Sequence, residues 1–285
     1  MAEAAANVLL GLIGGAIGLS RSPALYQGEA AAQGLTCIYR LIDLDRLGLG
    51  AANLPELLTA AERFGFAGLN ITYPCKQAVI AHLHELSPDA AALGAVNTVV
   101  LRDGRRIGHN TDWHGYAEAF RRDMQGAALD RVVQFGTGGA GAAVAYALLK
   151  LGVRQLSLVD TDAARAEAAA AQMATHFGAG RVTVAEDAQA AVREADGIVN
   201  ATPVGMAKFP GTPFPAGWLR PAAWVSEIIY FPLETELLRE ARALGCRTID
   251  GSGMNVWQAA EAFRLFTGRV PDIARLRRIF DAAGR

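Results

Sequence analysis

The hexapeptide Gly136-Thr137-Gly138-Gly139-Ala140-Gly141 stands between a short apolar run, VVQF, and an alanine-rich stretch, AAVAYALLKL. A chain can pass from strand to helix this abruptly because glycine, lacking a Cβ, turns tightly. The spacing is G-x-G-x-x-G in strand-turn-helix order, which lets the backbone approach a pyrophosphate and aims the amides of a helix N-terminus at it. The next strand, QLSLV, ends in Asp160, placed to accept hydrogen bonds from an adenosine ribose. Arg165, just beyond, can stack on an adenine or reach a phosphate. A turn that merely packs a helix against a strand, with Asp160 solvated, would use the same residues.

Short apolar, β-branched runs alternate with alanine-rich helical stretches from end to end, the pattern of an α/β protein built around mainly parallel sheets. At 285 residues the chain is longer than a usual single domain, so two domains are expected. The first half offers strands at Val8–Ile13, Cys37–Leu41 and Gly68–Thr72, and a hairpin in which Asp103-Gly104 joins NTVVLR to RRIGH. That hairpin makes the first sheet mixed. A second series begins at VVQF and continues through QLSLV, RVTVA, GIVNA, WVSEII and CRTI. In the tail, VWQAAEAFRLF puts Val256, Ala259, Phe263 and Phe266 on one helical face, which must pack on something apolar.

Composition excludes several function classes. With 27 basic against 28 acidic residues and no basic stripe, nucleic acid is not an expected partner. Cys37, Cys75 and Cys246 are odd in number and show no CxxC spacing, which argues against a disulfide framework and for a reducing, cytoplasmic setting. The apolar opening NVLLGLIGGAIG has no basic flank and is shorter than a membrane span, so it is expected to be a buried strand and turn. No metal site is expected. His82 and His84 lie two apart on an expected helix, His109 and His114 are expected in loops, and no Cys/His ligand set supports a zinc mechanism.

Pro74 is expected to open a helix through KQAVIAHLHEL, with Lys76 in its first turn. Asp112, just before WHGYAEAFRRD, can equally serve as an N-cap. Ser20 and Ser22 can offer hydroxyls to a carboxylate or act as ordinary turn residues.

Five motifs, SRSP at 20–23, NITYPCK at 70–76, GAVNT at 94–98, NTD at 110–112 and GMNVWQAAEAF at 253–263, resemble the shikimate/quinate dehydrogenase family in content and order. The resemblance spans nearly the whole chain. It implies residues 1–111 as a substrate-binding catalytic domain, residues 112–251 as a Rossmann NAD(P)-binding domain, and a helical tail, 252–285, packing back on the first. It also implies oxidation of a secondary alcohol, which needs a hydride acceptor and a group that takes the hydroxyl proton. By the same carry-over Lys76 and Asp112 are the catalytic, proton-transfer pair and Ser20 and Ser22 hold the substrate carboxylate. Thr72, Asn97, Asp112 and Gln258 hold ring hydroxyls, with Tyr230 nearby. Thr202 and Val204 run near the cofactor, and Ile228, Gly253 and Met254 lie beside the nicotinamide. For Ile228 and Met254, plain core packing is an equal alternative.

Two departures narrow the branch. Biosynthetic members read N-P-I-x-H-S before the second serine, where this chain has Gly15-Ala16-Ile17-Gly18-Leu19-Ser20; NADP users carry N-R-T where it has Asp160-Thr161-Asp162. Both resemble the NAD-linked quinate/shikimate branch, associated with quinate breakdown. The expected ligands are a cyclic hydroxy acid and NAD, with NADP possible, in a monomer or homodimer. The alternatives are an NADP-dependent biosynthetic or aminoshikimate-type dehydrogenase, a methylene-tetrahydrofolate dehydrogenase type, or a catalytically silent sensor of the same ligands.

Overall fold

The two strand series become two separate six-stranded sheets. The computed structural model describes residues 7–283, and the chain divides into two units. One runs up to Thr111 and resumes at Gln258; the other spans Asp112–Trp257. The division falls within the helix Ser252–Thr267, so the tail joins the first unit from Gln258 rather than from residue 252.

The first sheet contains β1 (Asn7–Gly14), β2 (Thr36–Asp43), β3 (Gly68–Ile71), β4 (Glu85–Leu86), β5 (Thr98–Arg102) and β6 (Arg105–His109), in the order β2-β1-β3-β5-β6-β4. β1 runs parallel to β2 and β3, whereas β5 is antiparallel to both β3 and β6. Asp103 and Gly104 both take positive φ, 52° and 71°, as a two-residue hairpin of right-handed twist requires. The sheet is mixed, as the hairpin led us to expect.

The helix expected from Pro74 onward does not form. Cys75 N donates to Thr72 O in a tight turn and Val79 N to Cys75 O, but Lys76 O accepts from Val96 N at 2.8 Å while Ile80 N, its helical partner, donates to Gln77 O, so the ladder does not continue. Only a short 3-10 turn, Ala78–His82, survives. His84 N then donates to Arg106 O and Arg106 N to His84 Nδ1, drawing the chain out to β4, which pairs with β6. His82 and His84 are thus not on one regular helix. Nor are His109 and His114 loop residues: the first ends β6 and the second lies in the helix Asp112–Asp123.

Val256, Ala259, Phe263 and Phe266 are all buried, as their spacing demands. Within the first unit Phe266 lies so close to β3 that a Cβ on Gly68 would stand 2.2 Å from its ring. Tyr26 packs on both phenylalanines, at 6.5 and 6.0 Å between ring centroids. The last helix, Ile273–Ala282, is held to the helix Ser22–Ala32 by fully buried Glu29, which accepts from Arg275 Nη1 and Asp272 N at 3.0 Å each.

The second sheet is entirely parallel: β7 (Arg131–Phe135), β8 (Gln155–Val159), β9 (Val182–Val184), β10 (Gly197–Asn200), β11 (Trp224–Glu227) and β12 (Arg247–Ile249), ordered β12-β11-β10-β7-β8-β9. This is the doubly wound order, which reverses between β7 and β10. Buried Phe135, Ile198, Val225, Leu237 and Leu238 form part of its core. Among the described residues no helix is long and apolar enough to cross a membrane, and no group of His, Cys, Asp or Glu is arranged to hold a metal ion.

Candidate active site

In the first unit the motifs meet at one edge of the sheet, the carboxyl ends of β1, β3 and β6 with the start of antiparallel β5. Gly15 N donates to Tyr73 O, joining the segment after β1 to the segment after β3. The Lys76–Val96 bond then sets Lys76, half-buried, beside GAVNT. Ile71 N donates to Asn97 O, and Thr72 N to Ile13 O.

Asn97, 4% exposed, is the hub of this edge. Its Oδ1 accepts from Thr111 N at 2.7 Å and its Nδ2 donates to Thr111 Oγ1 at 3.0 Å. Thr111 Oγ1 lies 3.3 Å from Gln258 Oε1, which brings the far tail of the chain to the same edge. Asn110 donates to Ala95 O and fixes the strand exit on the other side. Asp112 follows at once as the first residue of the helix Asp112–Asp123, buried, and it belongs to the second unit, as does half-exposed Tyr230.

Ser20 Oγ accepts from Ser22 N at 3.3 Å, and Ser22 starts the helix Ser22–Ala32 with Pro23 behind it. The Ser22 side chain is hydrogen-bonded to Tyr39, whose hydroxyl donates to Asn70 Oδ1 at 2.8 Å. Burial pushes the Tyr39 hydroxyl well above its ordinary 10.0, so it remains a donor. Asn70 Nδ2 in turn donates to Thr98 Oγ1 at 3.2 Å. Tyr39, Asn70, Thr98 and Thr111 were not singled out from the sequence. Tyr39 was nonetheless signalled as a tyrosine on the buried face of a strand, since a buried tyrosine hydroxyl takes a partner.

In the second unit Gly136 follows β7 at the point where the strand order reverses. Its φ is 91°, and a Cβ there would stand 2.7 Å from Ala201 O. Gly141 is equally constrained, since its Cβ would meet Gly136 O at 2.3 Å. Gly138 caps the 13-residue helix Gly139–Leu151 without a side chain, and Cβ atoms on Gly138 or Gly139 would point into open space. The turn is therefore bare backbone at a helix N-terminus, an arrangement that can hold a pyrophosphate. Gln134, fully buried between Val133 and Phe135, holds it by donating to Gly136 O and Gly141 O at 2.8 Å each.

Asp160 sits just after β8. Its carboxylate accepts from Thr137 N and Thr137 Oγ1 at 2.8 Å, from Asp162 N at 3.0 Å and from Arg165 Nη2 at 2.6 Å. Burial pushes this carboxyl up, but the hydrogen bonds from Arg165, Asp162 N and Thr137 outweigh it and hold it far below the usual carboxylate range. It is an anion at any working pH, and it clamps the glycine turn through Thr137.

After β10 the segment carrying Thr202 and Val204 is folded around Asn200, which is fully buried. Ile228, half-buried, directly follows β11; Gly253 packs against Ala119, and Met254 lies four residues before Gln258 on the same helix.

Residues 12–99 match the family model described as the shikimate dehydrogenase substrate binding domain, and residues 251–279 match the shikimate 5'-dehydrogenase C-terminal domain. A Streptomyces avermitilis protein named shikimate dehydrogenase (NADP(+)) is 58% identical over 95% of this chain and 94% of its own. A Corynebacterium efficiens protein named quinate/shikimate dehydrogenase (NAD(+)) is 50% identical over 96% of this chain and 98% of its own. Among solved structures, the quinate dehydrogenase of Corynebacterium glutamicum in complex with NAD superposes with a TM-score of 0.93 at 48% identity, covering 97% of this chain and 99% of that one. The chain belongs to the shikimate/quinate dehydrogenase family of NAD(P)-dependent oxidoreductases.

Proposed function

We propose that this chain transfers a hydride between a ring secondary alcohol of quinate or shikimate and a nicotinamide cofactor, with NAD preferred, yielding 3-dehydroquinate or 3-dehydroshikimate. The observation that carries the substrate class is the edge centred on Asn97. Neutral amides and hydroxyls there are fixed in orientation by one another, and amides can donate and accept at once, as a polyol requires. Ser20 and Ser22 take the ring carboxylate. Thr72, Asn97, Asp112, Gln258 and Tyr230 take its hydroxyls.

The bound nicotinamide supplies the hydride acceptor when the alcohol is oxidised. Lys76 takes the hydroxyl proton in that direction and returns it in the other, and Asp112 accepts a hydrogen bond from the same hydroxyl and orients it. The glycine turn at 136–141 holds the pyrophosphate, Asp160 and Arg165 the adenosine end, and Thr202, Val204, Ile228, Gly253 and Met254 the nicotinamide end.

Ionised Asp160 supports NAD, because a 2′-phosphate beside it would bring like charges together. A second possibility, NADP with shikimate, is favoured by Arg165, whose guanidinium already stands beside that carboxylate. Steady-state kinetics with quinate and shikimate, each with NAD and NADP, separates the two. We expect the highest kcat/KM with NAD. A higher kcat/KM with NADP would overturn the cofactor preference, and no turnover of either acid would overturn the activity.

A further inference from the structure

Glu227 ends β11 and is 1% exposed, yet the chemistry above gives it no task. Its Oε1 accepts from Asn200 Nδ2 and from Thr235 Oγ1, both at 3.0 Å, while Oε2 is buried without a hydrogen bond of normal geometry. A buried carboxyl left half-satisfied is costly and calls for a reason.

The reason lies in what Asn200 does next. Its Nδ2 also donates to Val204 O at 2.8 Å, and its Oδ1 accepts from Thr202 N at 3.0 Å and Thr202 Oγ1 at 2.6 Å. Thr202 Oγ1 accepts from Val204 N at 3.1 Å. Every donor and acceptor of the Asn200 amide is thus in use, and its orientation admits no flip while Glu227 Oε1 takes one of its hydrogens. Thr235 is meanwhile the N-cap of the helix Glu236–Ala243, donating to Glu227 and accepting from Leu238 N. One carboxyl oxygen therefore joins β10, β11, a helix start and the 201–204 segment.

We infer that Glu227 is a positioning residue for the cofactor, fixing the Asn200 amide and through it the Thr202–Val204 segment, a step that rests on the cofactor role proposed for Thr202 and Val204. Glu227 touches neither hydride nor substrate. It acts by holding the segment ready, so that ordering it is not charged against binding.

The protonation of Glu227 fits this role. Burial pushes it from the ordinary 4.5 up to about 7, against the pull of Asn200, Thr235 and the Ile229 amide. The groups facing it from β10, from the helix start and from its own strand end are all uncharged. Because the folded chain keeps a proton that the unfolded chain releases, stability from this site is full below about 4.5 and is lost as pH rises to about 7.

The test is calorimetric titration of NAD into the full chain and its variants, with kcat and KM measured in parallel. Glu227→Leu fills the space but leaves Asn200 without its acceptor, and should raise the Kd for NAD roughly tenfold while kcat at saturating NAD changes less than about threefold. Glu227→Gln keeps an Oε1 acceptor and should bind NAD like the parent, with its thermal stability no longer falling between pH 4.5 and about 7. Thr202→Val cuts the far end of the same chain of bonds, and its effect should not add to that of Glu227→Leu. If Glu227→Leu does not fold, Glu227→Gln and Thr202→Val carry the test.

An unchanged Kd in Glu227→Leu, full additivity with Thr202→Val, or an unchanged Kd in Thr202→Val overturns the inference. So does a Glu227→Gln protein with NAD binding as weak as that of Glu227→Leu. A parent chain that does not bind NAD at all would instead overturn the cofactor assignment itself.

Discussion

The edge of the first sheet and the edge of the second solve recognition in opposite ways. Around Asn97 the contacts are side chain to side chain: Ser22, Tyr39, Asn70, Thr98, Thr111 and Gln258 are joined by neutral hydrogen bonds between residues far apart in the chain. Around Gly136 the working surface is mainly backbone, and side chains such as Gln134 and Asp160 hold it in place. Under the proposed assignment of ligands the difference has a physical reason. A ring acid presents hydroxyls that must be told apart by donor and acceptor pattern, whereas a pyrophosphate presents diffuse charge that amides and a helix terminus satisfy. The first edge should therefore be brittle to any single side-chain deletion, and the second tolerant except where a Cβ intrudes.

The largest effect is expected at Lys76. Lys76→Ala should lower kcat by roughly 10²- to 10⁴-fold, the usual contribution of a positioned proton-transfer group, while NAD binding stays intact. A fall in kcat of less than about fivefold would remove Lys76 from proton transfer.

Asn97→Ala probes the brittleness directly. It strips the acceptor from the buried Thr111 N–H and the donor from Thr111 Oγ1, a loss of about 1–3 kcal/mol for the orphaned amide alone. We expect KM for quinate or shikimate to rise roughly tenfold or more, with the calorimetric Kd for NAD unchanged. Equal weakening of both ligands would mean that the two edges are not chemically independent.

The smallest effect is expected at Asp160, where charge rather than a network is at stake. Two unit charges about 4 Å apart at an effective dielectric near 20 repel by roughly 4 kcal/mol, which salt and the adjacent Arg165 reduce. Asp160→Asn should weaken NAD binding and narrow the NAD-over-NADP ratio of kcat/KM by a factor of a few, up to about tenfold. Since Thr137 also leans on this carboxylate, part of the NAD loss should appear as a looser glycine turn, measurable as faster amide exchange at 136–138. A ratio that widened instead would mean that Arg165, freed of Asp160, does not welcome a 2′-phosphate.

Much of the molecule was legible residue by residue. The alternation of apolar runs and alanine-rich stretches determined two strand series, the Asp103-Gly104 pair determined the hairpin that mixes the first sheet, and the glycine spacing determined where the tight strand-to-helix turn lies. These are local: each depends on φ/ψ freedom or on side-chain period over a few residues. The face Val256-Ala259-Phe263-Phe266 was equally plain, because burial follows helical period.

Tertiary structure decided whatever hung on partners distant in sequence. KQAVIAHLHEL has the pattern of a helix, yet Val96 takes the Lys76 carbonyl and Arg106 takes His84, so the chain is pulled into a 3-10 turn and an edge strand. Thr111 meets Gln258 across 147 residues. Glu227 was one acidic residue among 28 in the sequence; only burial, outweighing the pull of Asn200 and Thr235, made it a carboxyl that titrates near neutrality. Local propensity is a sum of small preferences, whereas a hydrogen bond closed in the interior carries the full cost of leaving its groups unpaired, and so the distant partner prevails.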